Sequence, residues 1–190
     1  MLSELVRRSR SYRRFDASHA LDLGTLRELV DLARTSPSAM NKQPLKFILS
    51  ADAERNELIY EHLGWAGGLP DWPGPAPSER PTGYIIILGD TDIRDSFGCD
   101  HGIAAQSMLL GATEMGLGGC MFGSVKREKL REALGIPGRY DILLVVAVGK
   151  PVETVVLEDL VEGGDLTYWR DENEVHHVPK RTLDELILDI

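Results

Sequence analysis

Cysteine is scarce in this chain, a membrane-length apolar run is missing, and positive charge is in deficit. The two cysteines, Cys99 and Cys120, match neither a zinc-ligand spacing nor a redox Cys-x-x-Cys. In a cytosolic chain such thiols are expected to be small buried hydrophobes. No apolar run reaches the ~18–20 residues that span a bilayer, and the longest, Ile142 to Val148, has the length of a buried strand. The opening residues MLSELVRRSRSYRRF carry charge where a secretory signal needs an apolar stretch, which favours the cytoplasm. A net charge of −9 argues against a nucleic-acid partner, because phosphate neutralisation needs a basic face.

Familiar motifs are also missing. No Gly-x-Gly-x-x-Gly follows a strand, so a Rossmann dinucleotide site is unsupported, and there is no Walker lysine motif. His176 and His177 are adjacent, and neighbouring side chains seldom converge on one metal, so no metal site is expected. Asp100-His101 lacks an accompanying nucleophile motif, which leaves His101 as a helix-start or interface histidine.

What is present begins with charge. Five arginines fall between Arg7 and Arg14 in an otherwise acidic protein. This local cluster suits either a small anionic ligand or a solvated helix end. The chain's 190 residues suit one domain, residues 1–190. Leu26, Leu29, Val30 and Ala33 recur at helical spacing and predict a helix from Leu23 to Arg34, which Ser36-Pro37-Ser38 ends. A polar loop, Asn41 to Pro44, precedes a strand from Lys46 to Ser50, and Asp52 is placed to cap a helix through His62. Tyr84 to Leu88 and Ile142 to Val148 read as strands buried on both faces. Gly102 to Met115 is apolar or small almost all round, so this helix needs burial in a core or an interface. Cys120 to Gly123 is expected to be a short strand or turn, and Lys126 to Leu134 a polar-faced helix stopped by Gly135 and Pro137. Alternating helices and strands give an α+β or α/β class with helices on both sheet faces.

Two segments resist regular structure. From Gly64 to Pro81 the chain holds four glycines, five prolines and two tryptophans, Trp65 and Trp72. Residues 64–83 are therefore expected to form a lid-like loop, the alternative being a flap packed down by its own aromatics. The tail, residues 152–190, is expected to be irregular and polar and to lie against another surface.

Four segments stand in a telling order. They are Arg10-Ser11-Tyr12-Arg13-Arg14-Phe15, then Pro37-Ser38-Ala39-Met40-Asn41-Lys42-Gln43-Pro44, then Gly116-Leu117-Gly118 leading to Met121-Phe122-Gly123-Ser124, and finally Lys180-Arg181. Nearly the whole chain thereby resembles the FMN-dependent nitroreductase family. The resemblance implies an α+β fold, a three-layer α/β/α sandwich with a mixed central sheet. It also implies an intertwined homodimer whose C-terminal tail wraps the partner.

The same resemblance assigns the cofactor residues. Arg10 and Ser11 match the phosphate-and-ribityl segment, with Arg13 reaching either the phosphate or the ring's polar edge. Ser9 stands where the family often carries arginine. Lys180 and Arg181 match the late basic pair at the phosphate, where guanidinium and ammonium donors suit roughly two negative charges. Asn41 and Gln43 offer amides to the pyrimidine edge. Pro37, Ser38 and Met40 match positions that reach FMN from the other subunit. Met121, Phe122, Gly123 and Ser124 would lie along the ring, with a backbone N–H near Gly123 directed at N5. The activity so implied is ping-pong transfer of hydride from NAD(P)H to electron-poor acceptors such as nitroaromatics, quinones or enones. No side chain is assigned as a catalytic acid or base, and Trp65 and Trp72 are candidates for the acceptor side. The alternatives are a flavin-binding protein without turnover and a specialised relative such as a reductive dehalogenase.

Overall fold

The computed structural model describes residues 1–161 and 163–189. Its helices are α1 (Leu2–Arg8), α2 (Leu23–Arg34), α3 (Ala53–Tyr60), α4 (Asp100–Glu114), α5 (Arg127–Leu134) and α6 (Leu183–Leu186). Its strands are β1 (Leu45–Ser50), β2 (Gly83–Asp90), β3 (Gly118–Phe122), β4 (Tyr140–Gly149), β5 (Val155–Asp159), β6 (Trp169–Arg170) and β7 (His176–Lys180). Asp22 caps α2 by accepting the Thr25 amide at 2.7 Å, and Asp52 caps α3 through the Arg55 amide at 2.9 Å. The second of these helices stops at Tyr60, two residues short of the expected His62.

Four strands pair antiparallel in the order β1-β2-β4-β3. On one face Ile85, Ile87, Val146 and Val148 pack against Leu26 and Leu29 of α2 and Ala105 and Met108 of α4. On the other, Tyr84, Ile86, Val145 and Ala147 meet Ile59 of α3 and Leu130 of α5. With both faces covered, β2 is buried at every position, which is why its sequence is a continuous apolar run rather than an alternating one. Ile87 pairs with Leu144 but Leu88 pairs with Ile142, so Leu143 is an extra residue on β4. This bulge sends Ile142 to the face of Val145 instead of that of Val146.

The class is therefore α+β, with three layers. Parallel pairing enters at the margins: Ser11 bridges Gly119 in parallel at the free edge of β3. A second small sheet, ordered β5-β7-β6, combines a parallel with an antiparallel pair.

Two expectations need correction. The tail is not irregular, because backbone pairing gives it β5, β6 and β7, and Thr182 with Glu185 forms a capping box for α6. Its low hydrophobicity is offset by specific contacts such as Trp169 stacked on His177, 4.1 Å between centroids. Cys120 is buried, which pushes its thiol up to about 11, but Cys99 is exposed where the chain enters α4. Within one chain, α4 is apolar nearly all round and buried on one side. Gly102 and Gln106 are exposed, while Ile103 and Leu110 are half-buried.

The N-terminal segment is threaded between the β3 edge and the tail. The Tyr12 amide donates to the Gly119 carbonyl at 3.0 Å, and the Val152 amide donates to that of Arg14 at 3.1 Å. Gly119 permits the close packing of β3 against β4 and α4: a Cβ there would collide with the Ala147 carbonyl oxygen and lie 2.6 Å from a Leu109 methyl. Since the nearer obstacle is backbone, Gly119→Ala is expected to cost about 3 kcal/mol. Urea unfolding measures it, and a loss under half that size would contradict the packing described.

Candidate functional site

A cavity of about 360 Å³ opens between the N-terminal segment, α4, β3 and the tail. Arg10, Ser11, Arg13, Met121, His176 and Lys180 contribute to its wall, together with Gln106 and Leu109 of α4. Strand alternation explains the tail's share, because His176, Val178 and Lys180 occupy one face of β7 and all three line the cavity. At ~3.3 Å per residue, His176 and Lys180 are ~13 Å apart along the strand.

This length separates two cationic ends. Arg13 lies at the His176 end: its Nη1 is 3.3 Å from His176 Nε2, and its guanidinium sits 4.7 Å over the Tyr168 ring. Phe15 bridges Pro151 antiparallel, and β7 runs parallel to β5, so Lys180 lies towards Arg10. Arg10 is held by its own helix end, Nη2 donating to the Val6 carbonyl at 2.6 Å. Two buried nitrogens of this wall, Arg10 Nε and His176 Nδ1, have no hydrogen-bond partner. Such groups signal a missing acceptor. Burial, and then the charges of Arg13, Arg170 and His177, push the His176 imidazole down to about 4.

The polar loop after α2 is strained. Met40, Asn41 and Gln43 all have positive φ, at 54°, 54° and 49°, a region non-glycine residues seldom adopt. Buried Asp100, at the start of α4, holds the loop in place: it accepts the Ser38 hydroxyl at 2.7 Å and the Ala39 amide at 3.2 Å. Ser38 Oγ in turn accepts the Gln43 amide, and Gln43 Nε2 donates to Asn41 Oδ1. Met40 is left 87% exposed at the tip. Strain kept under such control is typical of ligand clamps. Pro37, Ser38 and Gln43 line a different cavity, of about 310 Å³. Within one chain, then, Pro37, Ser38, Met40, Asn41 and Gln43 are not brought to the Arg10–Lys180 cavity.

The remaining expected residues divide. Met121 faces the cavity, whereas Phe122, next along β3, turns into the opposite core layer. Gly123 and Ser124 are exposed beyond the strand, where the Ser124 carbonyl accepts the Gly64 amide at 2.9 Å. Arg181 lies outside the cavity, 3.5 Å from Glu185. Arg14 is taken up by Glu79 and Glu174. Trp65 and Trp72 do not line the cavity either. Trp65 packs 4.6 Å from the Phe122 ring and edge-on to Trp72, which lies under Arg170 at 4.2 Å. Their loop still touches the site through Tyr168, whose hydroxyl accepts the Gly68 amide at 2.9 Å. Sequence reasoning missed Tyr168 and His176. The period-2 pattern back from Lys180 would have found His176 once the tail was read as a strand.

The match to a family model decides how the fold is classified. The model described as the nitroreductase family matches residues 6–68 and 79–150. This chain belongs to the nitroreductase family. The unmatched residues 69–78 fall in the Gly/Pro-rich loop, and the tail with His176 and Lys180 lies beyond the match. A protein of Archaeoglobus fulgidus, provisionally named NADH dehydrogenase/NAD(P)H nitroreductase, is 28% identical over 148 residues, covering 74% of this chain and 78% of its own. YodC of Bacillus subtilis, provisionally named an NAD(P)H nitroreductase, is 24% identical over 180 residues, covering 79% and 89%. Among solved structures, a nitroreductase family protein of Streptococcus pneumoniae superposes over 100% of both chains with a TM-score of 0.72 at 18% identity. An FMN-dependent nitroreductase of Clostridium difficile gives 0.63 at 22% identity, covering 80% of this chain and 88% of its own. These likenesses establish the nitroreductase fold.

The depressed His176 carries a stability consequence. An unfolded histidine takes up its proton near pH 6.5, whereas the folded one does so only near 4. The contribution is complete above 6.5 and is lost as the pH falls from 6.5 to 4, where the unfolded chain holds the extra proton. Urea unfolding between pH 7.5 and 4.5 is expected to show that decline, and His176→Phe to flatten it by up to one proton. An unchanged slope in the variant would remove the effect from His176.

Proposed function

We propose that the protein is an FMN oxidoreductase that uses NAD(P)H to reduce electron-poor acceptors, such as nitroaromatics, quinones or enones, by ping-pong turnover. The observation that carries this reading is the cavity itself. Motif residues Arg10, Ser11, Arg13 and Lys180 converge there, and Arg10 Nε and His176 Nδ1 await acceptors. Membership of the nitroreductase family and the names of the relatives support it.

The donor set fits FMN. Arg10 and Lys180 would hold the phosphate, Ser11 would hydrogen-bond the ribityl chain, and Met121 would lie against the ring. Arg181 stands one residue from Lys180 and would join the phosphate by leaving Glu185. When bound, FMN supplies a centre that takes hydride from NAD(P)H and returns it to an acceptor. The chain's part is to hold, orient and shield; none of its side chains need move a proton. Gly123, exposed with open space around its Cα, would let backbone approach the ring, followed by Ser124.

The rest of the site would come from a second copy of the chain. The side of α4 bearing Gly102, Ile103, Gln106 and Leu110 is left open. The exposed apolar residues of the tail, including Leu183, Leu186, Ile187 and Leu188, also await a surface. A homodimer along α4 would cover both and bring the partner's strained loop to the cavity, delivering its Pro37, Ser38, Met40, Asn41 and Gln43. The 64–83 loop would then wall the acceptor side, through Trp65 on Phe122 and Trp72 under Arg170.

Purified protein is expected to be yellow, with flavin bands that bleach on anaerobic addition of NADH or NADPH and return with a nitroaromatic. A colourless protein that takes up no FMN would refute the reading, and bound flavin without steady-state turnover would leave a storage or sensing protein. Leu110→Glu is expected to give monomers that release FMN on gel filtration; a monomer retaining its flavin would end the shared-site model. Trp72→Ala is expected to change relative kcat/KM across nitroaromatic, quinone and enone acceptors at unchanged FMN content. Equal kinetics would take Trp72 out of the acceptor site.

A further inference from the structure

His176 is 1% exposed and packs 5.1 Å from the Tyr168 ring. Its Nε2 faces Arg13 Nη1 at 3.3 Å. A guanidinium offers only N–H donors and stays charged, so Nε2 must accept. The ring proton therefore resides on Nδ1, a buried donor without a partner. The arrangement is stable to ordinary changes of pH, since burial and neighbouring cations keep the imidazole neutral.

Position then decides what this donor meets. Lys180 lies on the same face of β7, ~13 Å away, on the side of Arg10. If those two residues take the phosphate, the Arg13–His176 end lies a cofactor's length away, where the ring belongs. The chemistry agrees, because a carbonyl edge accepts hydrogen bonds from N–H donors. His176 supplies an N–H without a second charge. Tyr168 braces the pair, its ring under Arg13 and its hydroxyl anchored on the Gly68 amide.

We infer that His176 commits Arg13 to the pyrimidine edge of the flavin ring rather than to the phosphate, and donates its own Nδ1–H to a carbonyl there. The inference rests on the FMN reading above. His176 is thus both a positioning residue for Arg13 and a cofactor ligand, at the opposite end of the site from Lys180.

The test titrates apoprotein with FMN and with riboflavin, which lacks the phosphate, following quenching of flavin fluorescence. His176→Phe keeps the ring packing against Tyr168 and removes both nitrogens. It is expected to weaken both flavins by the same factor, about tenfold for one lost hydrogen bond in a buried site. His176→Gln, which can accept and donate, should restore most of the affinity, and Lys180→Ala should weaken FMN far more than riboflavin. The midpoint potential of FMN bound to His176→Phe should fall, because a donor that stabilises charge on the reduced ring is gone. A loss confined to FMN would place His176 at the phosphate and overturn the inference. Tight wild-type binding unmoved by His176→Phe would overturn it too, leaving the FMN reading intact. Wild-type protein that binds neither flavin would remove the FMN reading and the inference with it.

Discussion

Glu153 follows the last strand of the main sheet, and its side chain is 1% exposed. One carboxylate oxygen accepts the backbone amides of Arg13 and Arg14, and the other accepts Arg170 Nη2 at 3.1 Å. A buried carboxylate left unpaired costs several kcal/mol, so these donors are not optional. They tie the N-terminal segment to a tail residue far along the sequence. The two strips of chain that wall the cationic cavity are therefore joined through one charge, beside the backbone pairing of Val152 with Arg14. Arg170 carries the linkage outwards, since the guanidinium held by Glu153 also covers Trp72.

Beneath this strap the main sheet acts as a rigid base. Its two faces are both sealed, and the bulge at Leu143 lets β4 supply side chains to both layers in the correct register. Alternation along β3 then divides labour between neighbours: Met121 is delivered to the cavity and Phe122 to the core, where it seats Trp65. The Gly/Pro-rich loop is in this way anchored by aromatic packing although it has hardly any regular structure. It packs down by its own aromatics, one of the two arrangements its sequence allows, and its Gly68 amide donates to the Tyr168 hydroxyl.

Legibility in the sequence followed the strength of the periodic signal. α2 spans the residues that its apolar spacing predicts, and β2 and β4 contain the two predicted buried runs with short extensions, because burial on a sealed sheet leaves an unmistakable pattern. The tail left none: β5 and β7 are half-exposed strands with charged and polar residues on both faces, held by pairing rather than by burial. His176 was hidden for that reason, as it reads as half of a His-His pair until strand alternation puts the two rings on opposite faces. The candidate site was legible where motif residues are local, as at Arg10, Ser11 and Arg13. It was not legible where the cavity wall depends on which face of an unrecognised strand a side chain occupies. Cys99 failed for another reason: composition sets an average for thiol burial, and the N-terminal end of α4 sits outside that average.

The helix α4 connects these parts. Its first residue, Asp100, fixes the strained Ser38–Gln43 loop, while Gln106 and Leu109, roughly two turns further on, face the cationic cavity. At 1.5 Å per residue that separation is ~9–14 Å, and the loop and the cavity lie on different sides of the helix. A single chain cannot fold the loop back across α4 without breaking the Asp100 contacts that hold its left-handed residues. A second helix packed along the open side of α4, related by a two-fold axis, meets no such barrier and would carry its own loop to the cavity. In the proposed homodimer, the strain at Met40, Asn41 and Gln43 and the uncovered side of α4 would be two consequences of one requirement, a loop shaped for a neighbour's site.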